Sequence, residues 1–204
     1  MKITFALLLP LFLAVSCNSQ TEEYKIKNKE IKPSAKKVLV VYFSHTGENY
    51  GVGYIKIGNT KKVAEEIARQ TNGTLFEIEP IKPYPDKYKK CTDIAQEEFR
   101  KNARPAIRGK VENMDEYDTI YLGFPIWWGD APMPVYTFLE SYNLNGKHIY
   151  PFATHEGSVM GHSESALKKA LPKAILHDGL AIYGHTAQSD AAFVEKTVKN
   201  WLNK

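Results

Sequence analysis

Residues Val38–Ala68 read VLVVYFSHTGENYGVGYIKIGNTKKVAEEIA. The first six, Val38–Phe43, form an unbroken apolar run rich in β-branched residues, the pattern of a strand buried on both faces. Thr60–Thr71 is amphipathic, with Val63, Ala64, Ile67 and Ala68 on one side, and predicts a helix. Between them lies a loop of hydroxyls, amides and glycines. A helix N-terminus presents unpaired backbone N–H groups and a partial positive charge. Strand, glycine-rich loop and helix together therefore point to a loop that holds a phosphate.

Two nucleotide motifs come close and fail. Gly53–Thr60 fits the spacing G-x-x-x-x-G-K-[ST], but Asn59 stands where the motif needs Lys. That lysine carries the charge for the β and γ phosphates, so its loss argues against an NTPase. Gly51, Gly53 and Gly58 do not keep the G-x-G-x-x-G spacing of a dinucleotide site. What remains is Ser44, Thr46, Asn59 and Thr60, whose hydroxyl and amide donors suffice for one phosphate monoester without a cation. Simple helix capping by Asn59 or Thr60 is the alternative. It accounts for Asn59-Thr60 but not for Ser44-His45-Thr46-Gly47.

Outward from this stretch, strands and helices alternate. Thr74–Glu79, Thr119–Phe124, His148–Ala153 and Ala174–Tyr183 read as further strands, the last weakened by Asp178-Gly179. Asp93–Asn102, Pro134–Tyr142, Ser163–Leu171 and Ser189–Leu202 read as helices, with Asp93 and Gln96 as a capping box for the first. Five strands alternating with helices predict an α/β fold, a three-layer, doubly wound sheet of five parallel strands. Ligands of such sheets sit beyond the carboxyl ends of the strands. Three loops qualify, after Phe43, Phe124 and Ala153.

The second loop, FPIWWGDAPMP (Phe124–Pro134), places two adjacent tryptophans among glycine and prolines. Either they cover the edge of the core or one of them lines a flat ligand; adjacent side chains do not easily both turn inward. The third, ATHEGSVMGHS (Ala153–Ser163), offers Thr154, His155, Glu156, Gly157 and Ser158 as donors and acceptors. Neighbouring His155 and Glu156 seldom point at each other, and no G-x-S-x-G elbow occurs, which argues against a hydrolase. His162 and His185 read as surface or capping residues. No H-x-x-x-H spacing occurs, so no metal site is expected.

YFSHTG…GNTKKVAEEIA resembles the flavodoxin phosphate loop, S-x-T-G-N-T followed by a helix with V-A, here interrupted by the insertion ENYGVGYIKI (Glu48–Ile57). The P-x-W-W-G segment and the Pro83-Tyr84-Pro85 and Ala103-Arg104-Pro105 stretches are similar to this family too, over about Lys37–Asn203. The resemblance implies strand order 2-1-3-4-5 and non-covalently bound FMN. Ser44, His45, Thr46, Gly58, Asn59 and Thr60 would then serve the phosphate. Pro125, Ile126, Trp127, Trp128 and Gly129 would lie against the ring, and Thr154, His155, Glu156, Gly157 and Ser158 would meet its edge. Tyr84 would border a substrate pocket or simply pack in a turn. The implied function is electron transfer through flavin, to a redox partner protein or to a small-molecule acceptor. The alternatives are an NAD(P)H-dependent reductase of a quinone or other small acceptor, and a binding module without turnover. Flavodoxin carriers are strongly acidic, whereas this chain carries a net charge of +4 at a sequence pI near 8.8.

The N-terminus is a separate element. MKITFALLLPLFLAVSC has one positive residue, Lys2, then thirteen apolar-region residues from Ile3 to Val15. That run is short of the ~18–20 residues that span a bilayer and fits a signal peptide. Leu13–Cys17 resembles a bacterial lipobox; the alternative is an ordinary secretory signal with an incidental cysteine. The expected organisation is a lipoprotein signal over residues 1–16, a lipidated Cys17 with a polar tether to residue 36, and a domain over residues 37–204. The domain would be exported and anchored to a bacterial membrane on its periplasmic or cell-surface side. Cys91 is then the only other cysteine and reads as a structural thiol. No block of like charge marks a nucleic-acid surface.

Overall fold

A computed structural model describes residues 37–204. The expected export signal, Cys17 and the tether lie outside the described residues. β1 (Lys37–Tyr42) lies inside the sheet, next to its edge strand. It pairs in parallel with β4 (Thr74–Glu77) on one side and β5 (Tyr117–Pro125) on the other. β6 (His148–His155) follows β5, also parallel. The last expected strand is two short ones, β7 (Ile175–Leu176) and β8 (Leu180–Tyr183), both parallel to β6. The order β4-β1-β5-β6 followed by β7 and β8 is the 2-1-3-4-5 arrangement with its final strand broken. The break falls at His177-Asp178-Gly179, where the sequence weakens.

Because side chains alternate along a strand, β1 feeds two cores. Leu39, Val41 and Phe43 join Ile120, Leu122, Phe124 and Ile149 under α3 (Met133–Glu140) and α4 (Ser163–Ala170). Val40 and Tyr42 join Tyr121, Phe152 and Ile182 under α1 (Asn59–Thr71) and α6 (Ala191–Leu202). The apolar stripe read in α1, Val63, Ala64, Ile67 and Ala68, is the buried face. Fully burying one such aliphatic side chain contributes roughly 1.5–3 kcal/mol, which makes these two layers the main stabilising term.

Three local expectations are corrected. α2 runs Tyr88–Arg100 and begins more than a turn before Asp93. Its N-cap is Lys87, with no side-chain cap, so the Asp93–Gln96 capping box does not form. Asp93 sits inside the helix and pairs with Lys89 one turn back. The last helix starts at Ala191, with Asp190 accepting from the Phe193 N–H at 2.9 Å. A short α5 (Gly184–Ser189) precedes it; small Gly184 and Ala187 make its buried face, and they leave no apolar period to read. Thirdly, the inserted segment is not a plain loop. It forms an antiparallel hairpin, β2 (Gly47–Asn49) with β3 (Gly53–Ile55). Among the described residues no helix is long and apolar enough to cross a membrane.

Candidate functional site

The carboxyl ends of β1, β5 and β6 lie side by side and are fastened together. The Phe43 N–H donates to Gly123 O at 2.9 Å, and the Ile126 N–H to Thr154 O at 2.9 Å. Thr60 and Thr154 share a buried hydroxyl hydrogen bond of 2.8 Å that ties the first turn of α1 to the end of β6. Thr154 and His155 thus belong to β6 itself rather than to the loop beyond it.

The first loop closes on itself. Gly58, buried at the start of α1, sits so near Ser44 that a Cβ there would fall 2.1 Å from Ser44 Oγ and 2.7 Å from His45 O. The two halves on either side of the insertion are therefore in contact, and only glycine fits. Gly58, not Asn59 or Thr60, is the N-cap of α1, and it offers no side chain to the helix. Ser44 Oγ accepts the Lys61 N–H at 3.1 Å, which leaves its own O–H free to donate. The N–H groups of the first turn have no intrahelical acceptor by construction. Asn59 Oδ1 is taken by Gln188 Nε2 at 2.8 Å. The lysines of this turn point elsewhere, Lys61 to Glu77 at 2.9 Å and Lys62 to Gln188 O at 3.2 Å. The cradle is one of amides and hydroxyls, suited to a phosphate monoester and short of the positive charge that a polyphosphate needs.

The second loop turns on Trp127–Asp130, whose backbones bond reciprocally at 2.9 and 3.1 Å. Trp128 at φ 53° and Gly129 at φ 82° make both central residues left-handed, a type I′ arrangement. A tryptophan held at positive φ stores strain of about 1–3 kcal/mol and marks a constrained position. The Asp130 carboxylate supports the turn from below, accepting the Ala131 N–H at 2.7 Å and the Tyr136 hydroxyl at 2.9 Å. Burial raises its pKa above the usual carboxylate range, against the pull of those two donors. The two tryptophans divide the labour. Trp127 packs edge-on to Phe43 at 5.3 Å and Tyr84 at 5.0 Å, while Trp128 stands half-exposed with its indole N–H on Thr92 O at 3.1 Å. The Tyr84 ring packs edge-on against this core and its hydroxyl bonds Glu98.

At the end of β6 His155 is buried, and desolvation lowers its pKa, opposed by Glu156. Its Nδ1 accepts the Gly157 N–H at 2.9 Å, so the neutral ring carries its proton on Nε2. Glu156 turns away from His155. Both its oxygens go to His185, one to the backbone N–H at 2.8 Å and one to Nδ1 at 2.7 Å. His185 is thus a partner of the third loop rather than a free surface residue.

The loops enclose a cavity of about 480 Å³, within the usual size of a small-molecule site. His45, Asn59 and the Pro125–Trp128 segment line it, with Thr154, His155, Glu156 and Ser158 opposite. His45 Nε2 is buried there with no hydrogen-bond partner, and burial depresses the ring's pKa. Ser44, Thr46, Gly58, Thr60, Gly129 and Gly157 stand behind or beside the wall rather than in it. The remaining wall was not legible as a site: Glu48, Asn49 and Tyr50 from the hairpin, and Tyr88, Cys91, Thr92 and Ala95 from α2. The Cys91 thiol is pushed up to about 12 by burial, which leaves it protonated and inert.

No curated protein matches this chain. A family model described as Flavodoxin matches residues 37–204. A candidate flavoprotein from Bacteroides uniformis is 34% identical with a TM-score of 0.68, over 83% of this chain and 99% of that one. Another from Bacteroides eggerthii is 33% identical with a TM-score of 0.64, over 82% of this chain and 96% of that one. A flavoprotein from Lactobacillus acidophilus, solved in complex with FMN, is 25% identical with a TM-score of 0.59, over 78% of this chain and 99% of that one. The match over every described residue, on a sheet of this order, places the chain in the flavodoxin family.

Proposed function

We propose that this protein is a redox protein that transfers electrons through non-covalently bound FMN. The carrying observation is the cavity beyond the ends of β1, β5 and β6, lined by Asn59 at the start of α1 and by the aromatic Tyr50, Tyr88, Trp127 and Trp128, with the Ser44–Gly58 cradle beside it. The residues fit the cofactor. Ser44, Thr46 and the first turn of α1 would hold the phosphate, with Gly58 giving the room. Trp127 and Trp128 would flank the ring. His155 Nε2–H would be a donor for its polar edge, together with backbone N–H groups of the Trp128–Gly129 turn. When bound, FMN supplies the one- and two-electron chemistry, and the protein supplies orientation and sets the potential. The fastened loops hold these donors in place before the ligand arrives, which lowers the ordering cost of binding.

Reduction of a quinone or another small acceptor by NAD(P)H is the second reading. The weakly basic composition, unlike that of acidic carriers, favours it. NADPH or NADH oxidation with a quinone separates the two. As a carrier the FMN-loaded protein turns over neither nucleotide above the rate of free FMN; sustained turnover would make it a reductase. Export and lipid anchoring are proposed on the Leu13–Cys17 pattern alone. Cys17→Ala is expected to move the protein out of the membrane fraction, and its retention there would contradict the anchor.

A further inference from the structure

Two stretches singled out in the sequence lie outside the cofactor site, Pro83-Tyr84-Pro85 and Ala103-Arg104-Pro105. The fold brings them together. The Ile81 N–H donates to Ala106 O at 2.8 Å, and the Arg108 N–H to Glu79 O at 2.7 Å. The chain before Tyr84 therefore runs antiparallel beside the chain after Arg104. Together with α2 these segments enclose a second cavity of about 400 Å³, within the usual size of a small-molecule site. Tyr88, Cys91, Thr92 and Ala95 of α2 line the first cavity, whereas Ile94 and Glu98 line this one. Tyr84 stands between the two. It lines the second cavity, and its ring is 5.0 Å from that of Trp127, a wall of the first.

The body of the second cavity is apolar, from Ile81, Tyr84, Ile94 and Pro105. Its charged groups are Lys82, Arg104 and Glu98, two cations against one carboxylate. Glu98 accepts the Tyr84 hydroxyl, and burial raises its pKa, which disfavours its charged form. Lys82 is exposed at the rim and makes no hydrogen bond or ion pair among the described residues. Arg104 is held from several sides. Its Nη1 donates to Asn102 O, Asn102 Oδ1 and Ala103 O at 2.9–3.0 Å, and its Nη2 to Glu140 at 2.6 Å. The guanidinium also lies 5.4 Å from the centre of the Tyr136 ring. Its Nε–H is buried and has no acceptor. Buried polar groups are paired in the large majority of cases, so this donor marks a place for an acceptor that the chain does not supply.

A free ammonium and an unpaired guanidinium N–H beside an apolar pocket select one class of ligand, an anion with an apolar body. We propose that the second cavity binds an organic monocarboxylate, its carboxylate at Lys82 and Arg104 and its body against Ile81, Tyr84, Ile94 and Pro105. A neutral or cationic molecule of the same shape would leave both donors without charge compensation. The site is separate from the flavin cavity and stands whether or not the flavin reading holds.

The test is isothermal titration of octanoate into the purified protein, with and without added FMN. The expected result is saturable binding of one equivalent in both cases, tighter than that of octanol or octylamine. Arg104→Lys keeps the charge and removes the Nε–H; losing a hydrogen bond to a charged group weakens binding by about tenfold or more. Lys82→Gln, at an exposed position, weakens it about threefold and leaves the melting temperature unchanged. Ile94→Trp fills the cavity and abolishes binding, and it decides the matter if Arg104→Lys does not fold. Absence of saturable binding, octanol or octylamine bound as tightly as octanoate, displacement of octanoate by FMN, or wild-type affinity in Ile94→Trp or Lys82→Gln would each overturn the proposal.

Discussion

Gly58→Ala lowers the unfolding free energy by about 1–3 kcal/mol, the usual cost of overpacking, and weakens FMN at least about tenfold, equivalent to about 1.4 kcal/mol. The backbone at Gly58 is in an ordinary extended conformation, φ −64° and ψ 150°, so alanine suffers no dihedral penalty. The whole effect is steric. The new methyl would lie 2.1 Å from Ser44 Oγ and 2.7 Å from His45 O, and something must move. Moving Ser44 breaks its contact with the Lys61 N–H and opens the two halves of the cradle. Gly123→Ala is the matched control. Its Cβ would lie equally close, 2.1 Å, to Phe152 Cζ, but in the core beneath the sheet. It should cost similar stability in urea denaturation and leave FMN affinity much closer to wild type. Equal FMN affinity for Gly58→Ala and wild type would remove the cradle from the account.

Asp130→Ala is the second large effect, a loss of about 2–4 kcal/mol. Two buried donors, the Tyr136 hydroxyl and the Ala131 N–H, lose their acceptor, and each unsatisfied group costs about 1–3 kcal/mol. Asp130→Asn keeps an acceptor oxygen and should be much milder. The pH dependence has a definite sign. Folded Asp130 titrates above its ordinary value because burial disfavours the charge. Its contribution to stability is therefore full at low pH and is lost as pH rises through the folded value. The asparagine variant has no titrating group there and suffers no such loss, so it gains on wild type between acid and neutral pH. The alanine variant also releases the Trp127–Asp130 turn, and weaker FMN binding should accompany its lower melting temperature. Thermal melts of the three proteins at two pH values decide this. An alanine variant as stable as wild type would show that the turn does not depend on Asp130.

The first strand and its helix were plain in the sequence because both carry strong signals. VLVVYF is apolar on both faces, and Val63, Ala64, Ile67 and Ala68 repeat at helical spacing. The ends of the chain's other elements were less plain, for physical reasons. α2 starts without a capping side chain, so Asp93 with Gln96, both inside the helix, gave the only cap-like pattern. α5 buries glycine and alanine, which no hydrophobic period reports. At the site, the residue types of all three loops were legible, but their partners were not. Thr60 bonding Thr154, Ser44 bonding the Lys61 N–H, and Glu156 choosing His185 over His155 are all through-space choices between distant segments. The hairpin wall was hidden for a different reason. ENYGVGYIKI has too many glycines to announce a strand, and its pairing is set by the contacts of Glu48 and Tyr54 with Asp86–Tyr88.

The most direct measurement is titration of the purified protein, stripped of any bound flavin, with FMN and separately with riboflavin, followed by visible absorbance and flavin fluorescence. The account predicts saturation at one equivalent of FMN, and far weaker binding of riboflavin, which lacks the phosphate that the Ser44–Gly58 cradle would hold. No change on adding FMN, or equal affinity for the two flavins, would contradict it.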